Sequence, residues 1–315
     1  MKCYVKKIFF IAAFACFCLN AAADDNVVFR EMDINIGARA QAMGNAFTAV
    51  SDDSTAVFWN PGGLSRVRSA EVSLAYNSWF ADTSIQYLTG SMSLGRNSGA
   101  GAGIVFVNMG EIELIEDDGY MPGNTVRPFS LIAAAGYGAA VFDYYNDIMK
   151  NKPDIALSLG MTGKILLSND GENVSHGMFL DMGGLLQFGE SLEAGISLRN
   201  LGAVSAGTSP LAAGAGVSYR LMNDRINRAI CAIEANYGVE GILKLSAGAE
   251  YAFASSFFAR AGYEWRSNYQ TSSGTLSGLN AGIGIKLQSF AVDYSIRFNG
   301  GLGASHAFGL TYIMK

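Results

Sequence analysis

Side chains able to run a hydrolytic or metal-assisted reaction are scarce in this chain. Its two histidines, His176 and His306, lie far apart in sequence, and neither belongs to a spacing that holds a metal. Ser305 precedes His306, but neighbouring residues of a strand point to opposite faces. The hydroxyl and the imidazole therefore cannot form the hydrogen bond that a serine nucleophile requires. Of the four cysteines, Cys3, Cys16 and Cys18 fall in an apolar leader, which leaves Cys231 alone downstream. A disulfide within the mature chain and a thiolate metal cluster are both excluded. Cys231 sits on the apolar side of a strand pattern and reads as a packed or lipid-facing thiol. No phosphate loop or nucleotide fingerprint is present. The expectation is a protein that is no enzyme, with no catalytic residue, no metal site and no cofactor.

What chemistry is left is binding and positioning. Asp181, Arg199, Glu234, Glu250, Arg260, Glu264, Lys286, Asp293 and Arg297 each fall on the polar face of an alternating segment. Their signs are mixed, which does not suit a strongly ion-selective pore. Two readings fit them. A hydrated network holding a plug answers the cost of unpaired buried charge. Alternatively, Arg260 or Arg297 binds a carboxylate head group, as a guanidinium fork can.

These charges must be positioned by strands. From about residue 69 onward, apolar residues recur at every second position in segments of roughly ten, the period of a two-faced strand. Phe290, Val292, Tyr294, Ile296 and Phe298 form one such face, against Ala291, Asp293, Ser295, Arg297 and Asn299. Fourteen segments are predicted, near 69–78, 84–94, 99–109, 126–140, 154–167, 175–188, 191–200, 211–221, 228–237, 243–253, 257–265, 276–287, 289–298 and 304–314. An even number of strands of this length, apolar on one side with aromatic ends, matches an antiparallel transmembrane β-barrel. A soluble β-sandwich would bury the same faces against each other, but it seldom needs fourteen long strands. The longest connection is expected at 110–125, on the extracellular side, and 142–152 has room for a short helix.

Composition agrees. Only 16% of residues are charged, with 38 glycines, 19 phenylalanines and 14 tyrosines. The net charge of −5 argues against nucleic acid as a partner. Lys2, Lys6 and Lys7 precede an apolar run from Ile8 to Leu19, and Ala21 to Ala23 offer a small-residue cleavage site. This is the layout of a secretory signal peptide, and the run is too short to span a bilayer comfortably. The expected organisation is a signal peptide over 1–23, an N-terminal hatch over 24–67 and a barrel over 68–315. Outer-membrane lipid is then a partner, and the bacterial outer membrane the location.

The hatch is the most distinctive stretch. Ala38, Ala40, Ala42, Gly44 and Ala46 are small enough for a helix to press against a barrel wall. Asp52 and Asp53 are placed to cap the next turn. Pro61 fixes its own φ, and Gly62 with Gly63 permits a sharp exit into the first strand. Asn60, Pro61 and Gly62 read either as a plain corner from plug to wall or as part of a gate.

The motifs Gly37-Ala38-Arg39-Ala40, Met43-Gly44-Asn45-Ala46-Phe47, Asp52-Asp53-Ser54-Thr55-Ala56 and Trp59-Asn60-Pro61-Gly62-Gly63-Leu64 resemble the N-terminal pattern of the PorV/PorQ proteins. Gly248-Ala249-Glu250-Tyr251, Arg260-Ala261-Gly262-Tyr263 and Asn200-Leu201-Gly202 extend that resemblance over essentially the whole mature chain. Those proteins are similar to the FadL-like long-chain fatty-acid transporters, and a group of spirochaete outer-membrane proteins has a similar layout. Gly62 departs from the transporters' Asn-Pro-Ala motif. The resemblance implies a 14-stranded barrel with an internal hatch carrying Gly44, Asn45, Phe47, Asp52, Asp53, Trp59, Asn60, Pro61 and Gly62. It implies transport of a hydrophobic ligand, a fatty acid being the best fit. The alternative it carries is a platform that binds exported proteins or secretion components. Gly99, Gly101 and Gly103 then mark either a kinked third strand with a lateral exit or merely a relaxed one.

Overall fold

The computed structural model describes residues 26–34, 36–80, 82–116, 119–145, 153–205, 207–224, 226–267 and 276–314. Two short helices come first, α1 (Ala38–Ala42) and α2 (Ala56–Trp59), followed by a 3₁₀ turn over Pro61–Arg66. Sixteen strands follow. They are β1 (Glu71–Ser78), β2 (Ser84–Ser93), β3 (Ser98–Asn108), β4 (Ile112–Glu116), β5 (Gly119–Val126), β6 (Phe129–Tyr144), β7 (Ile155–Asn169) and β8 (Val174–Phe188). The remainder are β9 (Leu192–Val204), β10 (Ala212–Asn223), β11 (Asn227–Gly238), β12 (Leu243–Phe253), β13 (Phe257–Arg266), β14 (Leu279–Leu287), β15 (Phe290–Phe298) and β16 (Ala304–Ile313).

Fourteen of these form one closed antiparallel barrel, each pairing with its neighbour in sequence until β16 returns to β1. The exceptions are β4 and β5, which leave the wall as a separate hairpin between β3 and β6. Each of the fourteen predicted segments corresponds to a barrel strand. The expected 110–125 connection contains the β4–β5 hairpin, whose alternation is too short to stand out beside the wall strands. Phe142 belongs to β6, which runs on to Tyr144 past a register shift between Ala140 and Phe142. Most of the proposed helix at 142–152 lies outside the described residues.

One rim of the barrel holds the start of β1 and the end of β16, and we term it the proximal rim. The other is the distal rim. The outer surface is apolar, with Leu74, Leu88, Ile104, Ile165, Ile233 and Val292 all exposed. Aromatic side chains mark both margins: Phe253, Phe257, Phe290 and Tyr312 toward the proximal rim, Tyr76, Phe106 and Trp265 toward the distal. An apolar belt between aromatic girdles is the coat of a barrel that stands in lipid. Cys231 is exposed on that coat.

The lumen is filled and two-sided. Ile85, Val105, Val107, Ile132, Leu166 and Phe179 point inward from β2, β3, β6, β7 and β8 toward the distal rim, where they form an apolar cluster. The opposite wall, from β11 to β16, turns Glu234, Glu250, Arg260, Glu264, Asn280 and Arg297 inward, all buried. The described residues from Asn26 to β1 fill the space between these two walls.

Candidate functional site

The N-terminal segment begins near the distal rim and descends. Val27 bridges Thr208 in the β9–β10 connection, and a 3₁₀ turn follows over Arg30–Asp33. Glu31 accepts a hydrogen bond from Ser130 Oγ (2.7 Å), while Asp33 pairs with Lys244. Phe29 and Ile36, buried, and Met32 and Ile34, partly buried, press into the apolar cluster of the wall. Trp59 Nε1 donates to the Ile36 carbonyl (2.8 Å), tying this segment to α2.

The residues of the hatch are held by three wall glutamates, one on each of three consecutive strands. Glu234 of β11 accepts from the backbone N–H groups of Phe47 (2.8 Å) and Thr48 (2.7 Å), and from Thr48 Oγ1 (2.8 Å). Glu250 of β12 accepts from Arg39 Nε (2.8 Å) and from Arg260 Nε (2.8 Å). Glu264 of β13 accepts from Asn45 Nδ2 (2.7 Å) and from Arg297 Nη2 (2.7 Å). Each carboxylate thus satisfies donors that would otherwise be stranded in a water-poor interior. Arg39 closes the set, pairing with Asp52 (2.5 Å) and Asp53 (3.1 Å) as well. Burial works against its charge, but Asp52, Glu250 and Asp53 together raise its pKa well above the ordinary value. Burial also raises the pKa of the Asp53 carboxyl, more than Arg39 lowers it.

The hatch meets the wall backbone to backbone. Gly44 and Asn45 take φ of 63° and 66°, turning the chain back after α1. A Cβ on Gly44 would sit 2.5 Å from the Tyr263 nitrogen, and one on the facing Gly262 would overlap the Gly44 nitrogen. Phe47 is fully buried and stacks edge-on with Trp59 at 5.8 Å. Asn60 makes the corner: Oδ1 accepts from the Gly62 N–H (3.1 Å), and Nδ2 donates to the Thr48 (2.8 Å) and Gly184 (3.1 Å) carbonyls. Pro61 and Gly62 begin the 3₁₀ turn that leads out to β1. Asp53 Oδ1 accepts from the Thr55 N–H (3.0 Å) in a local turn ahead of α2, whose N-cap Thr55 makes no side-chain capping bond, and Asp52 faces Arg39.

Arg260 and Arg297 are both engaged. Arg260 lies between Glu250 and Asp293, the latter at 2.5 Å, and Arg297 on Glu264. Neither belongs to the apolar cluster. The cations at that cluster's edge are Lys164 of β7 and Arg199 of β9. Lys164 pairs with Asp181 (2.5 Å), donates to Asn200 Oδ1 (3.0 Å) and lies over the Phe58 ring, while Arg199 lies over Trp59. A cavity of about 20 Å³ among Met32, Ile34, Val105, Ile132, Lys164 and Arg199 separates them from the N-terminal segment. Sequence reasoning missed this place. Its signal was Gly103 to Val107, where both faces of a strand turn apolar.

Gly99, Gly101 and Gly103 face the hatch. β3 keeps an unbroken register with β2 and β6, so the three glycines interrupt no ladder. They make room: a Cβ on Gly101 would lie 2.8 Å from Leu64 Cδ2, and one on Gly103 2.6 Å from the Phe58 ring. On the outside of the same strand, Ala100 and Ala102 floor an apolar groove of about 610 Å³ edged by Val72, Leu88, Met92 and Ile104.

Solved structures share this architecture. A Pseudomonas putida toluene transporter, TodX, superposes with a TM-score of 0.63 at 12% identity over 89% of this chain and 99% of that one. The Ralstonia pickettii toluene transporter TbuX gives 0.60 at 12% identity, over 89% and 99%. A Pseudomonas aeruginosa FadL homologue gives 0.53 at 10% identity, over 88% and 98%. The fold is that of the FadL-like outer-membrane barrels. At these identities the FadL-like likeness is one of fold. In sequence, residues 18–120 match an uncharacterised protein family, UPF0164. No curated protein matches the chain. Ser305 and His306 lie on opposite faces: Ser305 is buried in the lumen, and His306 meets Tyr294 Oη at 2.9 Å. Among the described residues no group of His, Cys, Asp and Glu is arranged to hold a metal ion.

Proposed function

We propose that this protein is a bacterial outer-membrane channel for small hydrophobic molecules, with a long-chain fatty acid as the ligand that fits best. The observation that carries this reading is the apolar cluster inside the distal half of the barrel, built from Val105, Val107, Ile132, Leu166 and Phe179 and packed against Phe58 of the hatch, which becomes a chamber once the N-terminal segment leaves it. A pore for hydrophilic solutes has no use for such a lining. The proximal rim, where the barrel chain begins and ends, faces the periplasm, and the distal rim faces outward. A ligand enters distally and takes the place of Phe29, Met32 and Ile34, which fill the chamber in this state. Lys164 and Arg199, which line the small cavity beside the cluster, receive the carboxylate head in this reading, Lys164 in exchange for Asp181. The hatch residues from Gly44 to Gly62 hold the floor, and Arg260 and Arg297 lock it through Glu250 and Glu264. Release sideways through the Gly99–Gly103 wall into the outer groove suits a ligand that prefers lipid to water.

The test is native mass spectrometry of the protein from its own membrane, with displacement of bound lipid by a labelled fatty acid. Bound fatty acid, displaced one for one and weakened several-fold by Lys164→Gln, is expected. A lipid-free barrel that co-purifies with a stoichiometric exported protein would instead favour a PorV-like platform.

A further inference from the structure

We propose that the barrel also carries a separate aqueous route beside the hatch, along β1, β15 and β16, closed by a partition one side chain thick with Gln41 as its lid. Two polar cavities lie on this side of the lumen. The distal one, about 180 Å³, is bounded by Gln41, Asn77, Arg297 and Ser305 and reaches Trp79 and Arg266 near the rim. The other, about 220 Å³, is bounded by Ala38, Ser73, Ala75, Asp293, Gly309 and Thr311. It shares Asp52, Glu71, Arg228 and Lys286 with a third cavity of about 660 Å³ at the proximal mouth. Among the described residues, the distal cavity and this proximal pair come closest beside β1, β15 and β16.

That place is thin. Ala75 and Asn77 are consecutive inward positions of β1, about 7 Å apart along the strand, yet they border different cavities. On the neighbouring strands only Ala307 and Ser295 intervene, and both are buried. Gly309 opposite adds nothing: even a Cβ there would stand 3.8 Å from Ala38 Cβ. The lid is weakly held. Gln41 donates to Ser305 Oγ at 3.5 Å and accepts from Asn77 Nδ2 at 3.4 Å, both at the limit of a hydrogen bond.

The partition is also polar. Asn77 Oδ1, Ser295 Oγ and Arg297 Nε are buried without a hydrogen-bond partner in the described structure. Buried polar atoms of native proteins are almost always satisfied, so these three, which surround the partition, leave hydrogen-bonding capacity that a passing hydrophilic solute can use. Charges of both signs line the two cavities, so the solutes this route suits are small hydrophilic molecules and ions of either sign. The apolar cluster lies mostly on β2, β3, β6, β7 and β8, and it adjoins this route: Ile34 borders the distal cavity, and Ala75 and Tyr87 border the other.

The test uses the full-length protein in planar bilayers with potassium chloride, and in liposomes challenged with glycerol. Gln41→Ala is expected to raise single-channel conductance and glycerol entry several-fold over the parent. Adding Ala307→Leu, which fills the partition, is expected to return both to the parent level while fatty-acid binding stays unchanged. Conductance unaltered by Gln41→Ala would overturn the proposal. So would an increase that Ala307→Leu does not remove, since the leak would then come from a dislodged hatch.

Discussion

Glu250 accepts from the guanidinium groups of Arg39, Arg260 and Arg228, the last at 3.1 Å, so one carboxylate joins the hatch to three strands of the wall. Removing one partner of a buried charge network costs about 3–5 kcal/mol, because the cations left behind have lost their counter-charge. Glu250→Ala is therefore expected to lower the unfolding midpoint in detergent and to open Arg39 to trypsin. Glu234 acts on neutral donors instead. Glu234→Ala leaves the N–H groups of Phe47 and Thr48 buried and unpaired, at about 1–3 kcal/mol each, and the expected result is faster hydrogen exchange confined to those amides. That Glu234, Glu250 and Glu264 face inward was legible from strict alternation. Which donors they meet was not, because the hatch has no periodicity from which its path inside the barrel can be derived.

At the scale of elements, the hatch follows a track where wall side chains are missing. Asn60 sits against Gly183, and Met43 and Gly44 against Gly262. Gly183→Ala would place a Cβ on Asn60 Oδ1, and Gly262→Ala one on the Gly44 nitrogen. Neither neighbour is the yielding end of a flexible side chain. Both substitutions are expected to leave the far-ultraviolet circular dichroism of the barrel intact while the hatch becomes sensitive to protease. The strands themselves were readable to within a few residues, since a lipid-coated wall imposes a period of two on every segment. The glycines were visible but ambiguous: Gly99, Gly101 and Gly103 suggest a weak strand until Leu64 and Phe58 are seen to occupy the space. The β4–β5 hairpin escaped notice because its two strands, Ile112–Glu116 and Gly119–Val126, are too short for alternation to stand out.

For the whole molecule, the decisive property is which face meets lipid. Cys231 lies on the outer coat beside Ile233. In membranes it is expected to react with a lipid-soluble maleimide and not with a charged, membrane-impermeant one. Equal labelling by both would contradict the lipid-facing coat. The two-sided lumen was only half legible. Its charged wall stands out because charge is rare in this sequence, whereas its apolar wall looks like any other buried strand. A lumen with one charged and one apolar wall differs from a uniformly plugged cylinder, and the alternation of single strands does not reveal it.

The route of the chain through the lumen bears on how the molecule is made. Residues near Val27 are anchored at the distal rim, yet the chain leaves the lumen at the proximal rim just before Glu71. Native chains rarely thread a free end through a closed ring. The cylinder must instead be wrapped around a segment already lying along its axis, with β1 and β16 meeting last. The hatch is then a mandrel during biogenesis before it is a barrier to traffic, and its loss would be felt first in the yield of closed barrels.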